Sequence, residues 1–426
     1  MFSFIHAADL HLDSPLRGLD QYEGAPVKAI RIAARRALDN LVNLAIRQRV
    51  AFVLIAGDVY DGDWEDANTG FFFVQQMARL QTQGIRVFLI SGNHDAANRL
   101  TRGLPYPNNV RVFSSDQPET VKIDDIRIAI HGQSYATQAE TRNLAVGYPS
   151  PIPGHLNIGL LHTSLDGREG HESYAPCSLS DLVARDYDYW ALGHIHQRES
   201  VNGERRPRVE FCGNIQGRHI RETGPKGCLL VQVDNARNLA VVFHPLDVFR
   251  WSLCQVDCAG AANQEDISQR AVQPIEEMMR EADGRPLAVR VELVGSCPAH
   301  QKLLANTRTV VDDIRARALA LDSEHLWIEK VGIKTVTPQS SEDDDPLAED
   351  AISELLRVIG ELRNNPGRLL EHLATGEFPS LRNRLPPEFT EGQTAPSFFQ
   401  GEGGGEFLDR VQAFLVNAAI RKEIAQ

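Results

Sequence analysis

The chain has 426 residues, 42% hydrophobic and 24% charged, with a formal net charge of −13. This globular composition is too large for one small core and predicts two or three domains. It excludes a membrane span, since no apolar run nears the roughly 18 residues required, and the acidic balance weighs against nucleic-acid binding through a broad basic face, although carboxylates that hold cations would offset part of that charge.

Residues 2–8 read as a buried strand ending in Asp9-Leu10-His11-Leu12-Asp13. An Asp and a His two apart at a turning strand exit can face one site. Residues 26–50 place Ile30, Ala34, Leu38, Leu41 and Ala45 at helical spacing,. Residues 52–56 form a second strand ending in Gly57-Asp58-Val59-Tyr60-Asp61, residues 66–82 a second helix, and residues 85–90 a third strand ending in Ser91-Gly92-Asn93-His94-Asp95. Strand, helix, strand, helix, strand is the pattern of α/β organisation, and such folds keep their sites at the carboxyl ends of the strands.

After residue 105 the strands shorten: 110–113, 121–123 and 126–131, expected to be antiparallel. Residues 158–161 then end in His162-Thr163, and 187–192 end in Gly193-His194-Ile195-His196. Strands at 208–212, 228–233 and 239–245 follow, the last two paired across 234–238. The expected architecture to residue 248 is two packed sheets with helices outside. A βαβαβ unit spans 249–337, with its helices at 264–282 and 300–321. An acidic linker bounded by Pro338 and Pro346 separates it from a helical region, 347–426, whose last helix (406–423) carries Phe407, Val411, Phe414 and Leu415 on one face,. The six scattered cysteines read as buried free thiols rather than a zinc ribbon or redox pair,.

Five strand exits or loops thus offer metal ligands: Asp9 and His11; Asp58; Asn93 and His94; His162; His194 and His196. Each alone is weak, because a lone His at a strand end is usually structural. Together, after apolar strands, they fit a two-cation phosphoester hydrolase, in which one carboxylate bridges the metals and Asp58 is the candidate. Mixed His, Asp and Asn donors suit Mn²⁺, Fe²⁺ or Zn²⁺. In this reading Asn93 is a ligand, His94 is catalytic and Asp95 orients His94. Tyr60 and Trp64 are open to two readings, packing or stacking on a base. Arg205, Arg206, Arg208 and Arg218 are basic residues near the His194/His196 pair in sequence and are candidates for phosphate contact; solvated loop charge is the alternative,.

Asp9-x-His11, Gly57-Asp58-x-x-Asp61, Gly92-Asn93-His94-Asp95, His162 and Gly193-His194-x-His196 resemble the calcineurin-like metallophosphoesterase signature, complete and in order. Within that superfamily the chain is most similar to the SbcD/YhaO-type DNA-repair exonucleases, through its opening 6–13, the run 213–218 and the small α/β unit after the first domain. The resemblance implies a two-sheet αββα sandwich with a small capping or DNA-recognition domain and a helical tail. It implies two divalent cations, Mn²⁺ first and Fe²⁺ or Zn²⁺ as alternatives, one held by Asp9, His11, Asp58 and His196, the other by Asp58, Asn93, His162 and His194. His94 would protonate the leaving 3′ oxygen, with Asp95 holding its ring. Asp61 would orient a ligand His or simply form the turn. DNA ends would be the substrate, an SMC-like ATPase the partner through the C-terminal region, and a homodimer is compatible with this picture. The expected setting is the cytoplasm, given a first segment without the basic and apolar regions of a signal peptide. The competing function is a phosphodiesterase or phosphatase acting on a small nucleotide or phosphoprotein.

Overall fold

The structure, a computed structural model, describes residues 1–16, 24–61, 68–97, 105–166, 174–338, 351–365 and Leu408. Its contacts divide the chain into two compact units. One comprises Met1–Cys254, Ile275–Val291 and Ala318–Lys330; the other comprises Gln255–Pro274, Glu292–Arg317 and Val331–Gln426.

The first unit is built on two six-stranded sheets. The elements of the first sheet's side are β1 (Phe2–Ala7), α1 (Val27–Gln48), β2 (Phe52–Ala56), α2 (Asn68–Thr82), β3 (Arg86–Ile90), the short α3 (Asn93–Ala97) and β4 (Val110–Val112). The second sheet takes β5 (Glu119–Ile123), β6 (Ile128–Gly132), β7 (Leu156–His162), β8 (Tyr189–Gly193), β9 (Glu199–Ser200) and β10 (Arg208–Phe211), with α4 (Leu179–Val183) before β8. The chain then returns to the first sheet with β11 (Gly227–Val233) and β12 (Leu239–Pro245). The strand orders are β12-β11-β1-β2-β3-β4 and β5-β6-β7-β8-β10-β9.

Alternation along each strand sorts its side chains between two cores. Phe4, Phe52, Leu54, Phe88 and Ile90 turn toward the second sheet, where they join Ile130, Ile158, Leu160 and Tyr189 in one buried cluster. Phe4 stacks on Phe52 at 4.9 Å and meets Tyr189 edge-on at 5.5 Å. The opposite side chains, Ile5, Val53, Ile55, Val87 and Leu89, pack with Leu38, Leu41, Phe73, Met77 and Leu80 of α1 and α2. A third cluster covers the outside of the second sheet with Tyr148, Leu182, Tyr187 and Trp190. This is the expected sandwich of two sheets with helices outside.

The strand directions correct the sequence reading. Of the three short strands expected to be antiparallel, β5 and β6 do pair that way, but β4 lies parallel to β3, and β6, β7, β8 and β10 run parallel to one another. The reason is burial. β6, β7 and β8 are covered on both faces along their whole length, which is the environment of central parallel strands. Parallel pairing gives both sheets a common set of carboxyl ends, and the site lies there.

Three further strands, β13 (Arg250–Asp257), β14 (Leu287–Ser296) and β15 (Leu326–Val336), form a sheet in that order. Between them run α5 (Gln264–Glu281), α6 (His300–Ala305) and α7 (Thr307–Leu321). The helix expected at 300–321 is thus two, parted at Asn306. In the first unit, Trp251 meets Phe249 and Trp327, and this cluster includes Ile30 and Ala33 of α1. In the second unit, His300 Nδ1 lies 2.9 Å from Thr335 Oγ1, and Arg317 donates to Gln269 at 2.7 Å. Helix α8 (Ala351–Asn364) also belongs there, with Ile359 buried beside Leu408. Trp64, the acidic linker apart from Pro338, and the last helix expected at 406–423 lie outside the described residues, Leu408 excepted. All six cysteines are free and buried, as expected. No helix among the described residues is long and apolar enough to cross a membrane.

Candidate metal centre

Five strand exits bring their polar residues to one place. β1 delivers Asp9 and His11, β2 delivers Asp58, and β3 runs directly into α3, which opens with Asn93 and His94. From the second sheet, β7 ends on His162 and β8 leads into His194 and His196. The exits turn sharply. Asp9, His11, Asp58 and His194 all take left-handed backbone angles, with φ of 51°, 42°, 52° and 96°. This region costs most residues about 1–2 kcal/mol, although Asp and His tolerate it better than most. The turn lets two residues of one exit face inward together. It is held by backbone bonds between exits, Asp9 N–H to Gly57 O and His11 N–H to Asp58 O, both 3.0 Å.

The donor atoms crowd together. His11 Nε2 lies 3.0 Å from His196 Nε2 and 3.9 Å from Asp58 Oδ2. His162 Nε2 lies 3.0 Å from Asn93 Oδ1 and 3.5 Å from Asp58 Oδ2. His194 donates its backbone N–H to both oxygens of Asp9 at 3.1 Å, and its ring centroid is 5.1 Å from that of His162. Three sets of candidate ligand atoms each fall within 4.8 Å of one another: Asp9, His11 and His196; His11, Asp58 and His94; Asp9, Asp58 and His162. Ligands about 2.1 Å from one cation stand about 3 Å apart when adjacent, so these spacings suit a cation's shell. Buried His11 Nδ1 has no hydrogen-bond partner among the described residues. Asp9 and Asp58 are almost wholly buried. Two buried carboxylates among four imidazoles and an amide fit divalent transition-metal ions.

Burial works against charge on His162, yet Asp58 and Asp9 push its pKa up to about 9. Burial likewise favours the neutral acid at Asp58, but the His162 and His94 rings hold it below the usual carboxylate range. At Asp9 burial wins and raises the pKa. Burial, Arg218 and the neighbouring imidazoles push the His11 pKa well down, so that ring is neutral, the state in which a nitrogen can be a ligand,.

Around these atoms stands a ring of supporting groups. His162 Nδ1 is 2.8 Å from Ala56 O, which assigns that nitrogen as donor and turns Nε2 to the centre,. His196 Nδ1 is held at 2.7 Å by Glu222 Oε1. His94 Nδ1 is held at 2.8 Å by Asp61 Oδ1. Burial lowers the His94 pKa, but the bond to Asp61 and the charges of Asp58 and Asp61 together outweigh it, and the net shift is upward. Asp95, expected to orient His94, does something else. Its carboxylate accepts the backbone N–H groups of Val59, Tyr60 and Gly92 at 3.0–3.2 Å, tying the β2 exit to the β3 exit. Burial and the charge of Asp58 push its pKa up to about 7, against those three donors. A carboxylate adjacent in sequence was the obvious partner for His94; at the start of α3 it points back into the loop, and Asp61 takes its place.

The expected arginines separate. Arg218 is at the centre, but its guanidinium is engaged with Glu222 and Asp61. Arg208 opens β10 in register with Tyr189, the first residue of β8, whereas the donors follow Gly193, the last. Four strand residues separate the two ends by about 13 Å. Arg205, Arg206 and Arg208 therefore lie toward the amino ends of these strands, not beside the site. Arg206 pairs with Asp188 and Arg208 with Glu210. Tyr60 is a core residue, packed edge-on against Phe73 at 5.9 Å. Glu222 was not anticipated. Its one sequence signal is an acid closing the basic run Arg218, His219, Arg221.

Comparison with known proteins agrees with this geometry. The family described as calcineurin-like phosphoesterase matches residues 2–198, a stretch containing every donor from Asp9 to His196. A family described as metallophosphoesterase YhaO, middle domain, matches residues 251–336. The chain is 37% identical over 299 residues to a protein of Bacillus subtilis (strain 168) named "Uncharacterized metallophosphoesterase YhaO", covering 70% of this chain and 72% of that one. It is 23% identical over 417 residues to the DNA double-strand break repair protein Mre11 of Methanopyrus kandleri, covering 88% of this chain and 86% of that one. It is 24% identical over 276 residues to one of the subunits of the nuclease SbcCD of Staphylococcus epidermidis, covering 58% of this chain and 70% of that one. Such identity across most of a metallophosphoesterase, on a scaffold whose strand exits gather these donors, means that the chain belongs to the calcineurin-like metallophosphoesterase family and resembles its SbcD/YhaO type.

Proposed function

We propose that this phosphoesterase cleaves phosphodiester bonds in DNA, as an exonuclease or endonuclease working in repair. The carrying observation is the convergence of seven donor residues from two sheets on one buried centre, with a carboxylate-held imidazole beside it. Asp9, His11, Asp58 and His196 would hold one divalent cation, and Asp58, Asn93, His162 and His194 the second, with Mn²⁺ the first choice. When bound, such cations neutralise charge on the phosphate and ease deprotonation of the attacking water.

The remaining work falls to side chains. Asp61 accepts from His94 Nδ1, which fixes the ring and leaves Nε2 as the nitrogen that gives up a proton,. His94 stays half-exposed, within reach of a substrate. Its raised pKa favours the protonated form that a general acid needs,. In this role Nε2–H protonates the leaving 3′ oxygen as the P–O bond breaks. Glu222 and Ala56 O keep the rings of His196 and His162 turned to the centre. DNA as substrate is supported by the relatives named for break repair and for nuclease activity. An SMC-like ATPase partner, a homodimeric assembly and a cytoplasmic setting belong to the same proposal; six free buried thiols accord with a reducing compartment,.

The test is purified protein with Mn²⁺ on end-labelled single- and double-stranded DNA, beside bis-p-nitrophenyl phosphate. The expected result is cleavage of all three, abolished by EDTA and by Asp58→Ala. Cleavage of the small ester alone would move the reading to a phosphodiesterase of small nucleotides.

A further inference from the structure

Arg218 stands beside the donor centre, its Nη2 3.3 Å from His196 Nδ1, and its donors go to the protein. Nη1–H donates to Asp61 Oδ2 at 3.0 Å, Nη2–H to Glu222 Oε1 at 3.0 Å, and Nε–H lies 3.3 Å from the same Glu222 oxygen. The side chain is only 15% exposed. The two carboxylates have different duties. Glu222 holds His196 Nδ1, whereas Asp61 Oδ1 holds His94 Nδ1. Ser14 Oγ also donates to Asp61 Oδ2, at 2.6 Å. A guanidinium is a rigid planar fork, so fixing its Glu222 edge fixes where its other edge meets Asp61.

We propose that Arg218 is a positioning residue for proton delivery. Anchored on Glu222, it holds the Asp61 carboxylate, and through it the His94 ring, at the angle from which Nε2 reaches the leaving oxygen. This rests on His94 being the general acid. In the step concerned, the attacking water gives a proton to solvent as its oxygen bonds to phosphorus, the P–O bond to the leaving group breaks with its electron pair on oxygen, and that oxygen takes the Nε2 proton, which His94 regains from solvent. A leaving group that departs as a stable phenolate needs no such proton, whereas an alkoxide does. Harm to proton delivery therefore shows as a difference between substrates.

The experiment uses the full chain with Mn²⁺ and two esters of thymidine 5′-phosphate, the p-nitrophenyl and the methyl ester. The proteins compared are wild type, Arg218→Met, Arg218→Lys and His94→Ala. Arg218→Met is expected to lose at least about tenfold more activity on the methyl ester than on the p-nitrophenyl ester, in the same sense as His94→Ala. Arg218→Lys should regain part of that difference, and bound Mn²⁺ at equilibrium dialysis should match wild type. Equal losses on both esters, or loss of bound Mn²⁺ in both Arg218 variants, would overturn the proposal and leave Arg218 as a support for His196. A His94→Ala variant with no preference between the esters removes the acid and the proposal together, as does a wild type that cuts the p-nitrophenyl ester alone. Inactivity on DNA while both esters are cut removes only the nuclease reading.

Discussion

Glu222 would act on a bound cation without touching it. By accepting from His196 Nδ1 it fixes the tautomer and turns the Nε2 lone pair toward His11 Nε2, 3.0 Å away. Burial opposes a charged carboxylate there, but His196 and Arg218 outweigh it and hold the Glu222 pKa far below its ordinary value, so the group is ionised throughout the neutral range. Removing that charge while keeping the shape should weaken the ligand. We expect Glu222→Gln to lower Mn²⁺ affinity by about 10- to 100-fold, the usual cost of losing such an outer partner. Calorimetric titration of Mn²⁺ into the two proteins measures this directly; an unchanged affinity would mean that His196 is oriented by other contacts.

At the scale of elements, the exit of β8 stands directly against the exit of β2. A Cβ placed on Gly193 would stand 1.9 Å from Ala56 O and 2.9 Å from His162 Nδ1. Gly193→Ala must therefore push the sheets apart where His162 and His194 leave them. We expect a loss of about 1–3 kcal/mol, the usual cost of overpacking, with weakened Mn²⁺ binding alongside it. Urea unfolding with and without Mn²⁺ would separate the two; a variant as stable as wild type would show that the exits can part without harm. These exits were readable from residues alone because each is a short apolar run followed at once by ligand-type side chains. Strand direction was not, since β6 to β8 owe their parallel pairing to layers supplied by distant parts of the chain. The partner of His94 was misjudged for a similar reason. Asp95 is next to it in sequence, but the short helix turns that carboxylate onto backbone amides, and Asp61 arrives from another strand. Glu222 comes from a loop between β10 and β11, with no regular pattern to mark it.

For the first unit as a whole, the centre is a joint. Asp9, His11, Asp58 and Asn93 come from one sheet; His162, His194 and His196 come from the other. A cation held by both sets links the sheets at their carboxyl ends and relieves the burial of two carboxylates. Mn²⁺ at a hundred times its dissociation constant should stabilise the folded chain by about 2.7 kcal/mol per site, provided the unfolded chain does not bind it. Thermal unfolding should then shift upward with Mn²⁺ and return with EDTA, whether or not any substrate is present. A melting temperature indifferent to both would argue against a shared centre.

The left-handed turns at Asp9, His11, Asp58 and His194 bear on how such a chain can change over time. Glycine meets those backbone angles with no steric penalty, so replacement of any of the four would ease the fold locally while erasing a donor. Drift guided by folding alone would run toward glycine at these positions. Two aspartates and two histidines held in that conformation give up local ease of folding in exchange for donor atoms at the centre,.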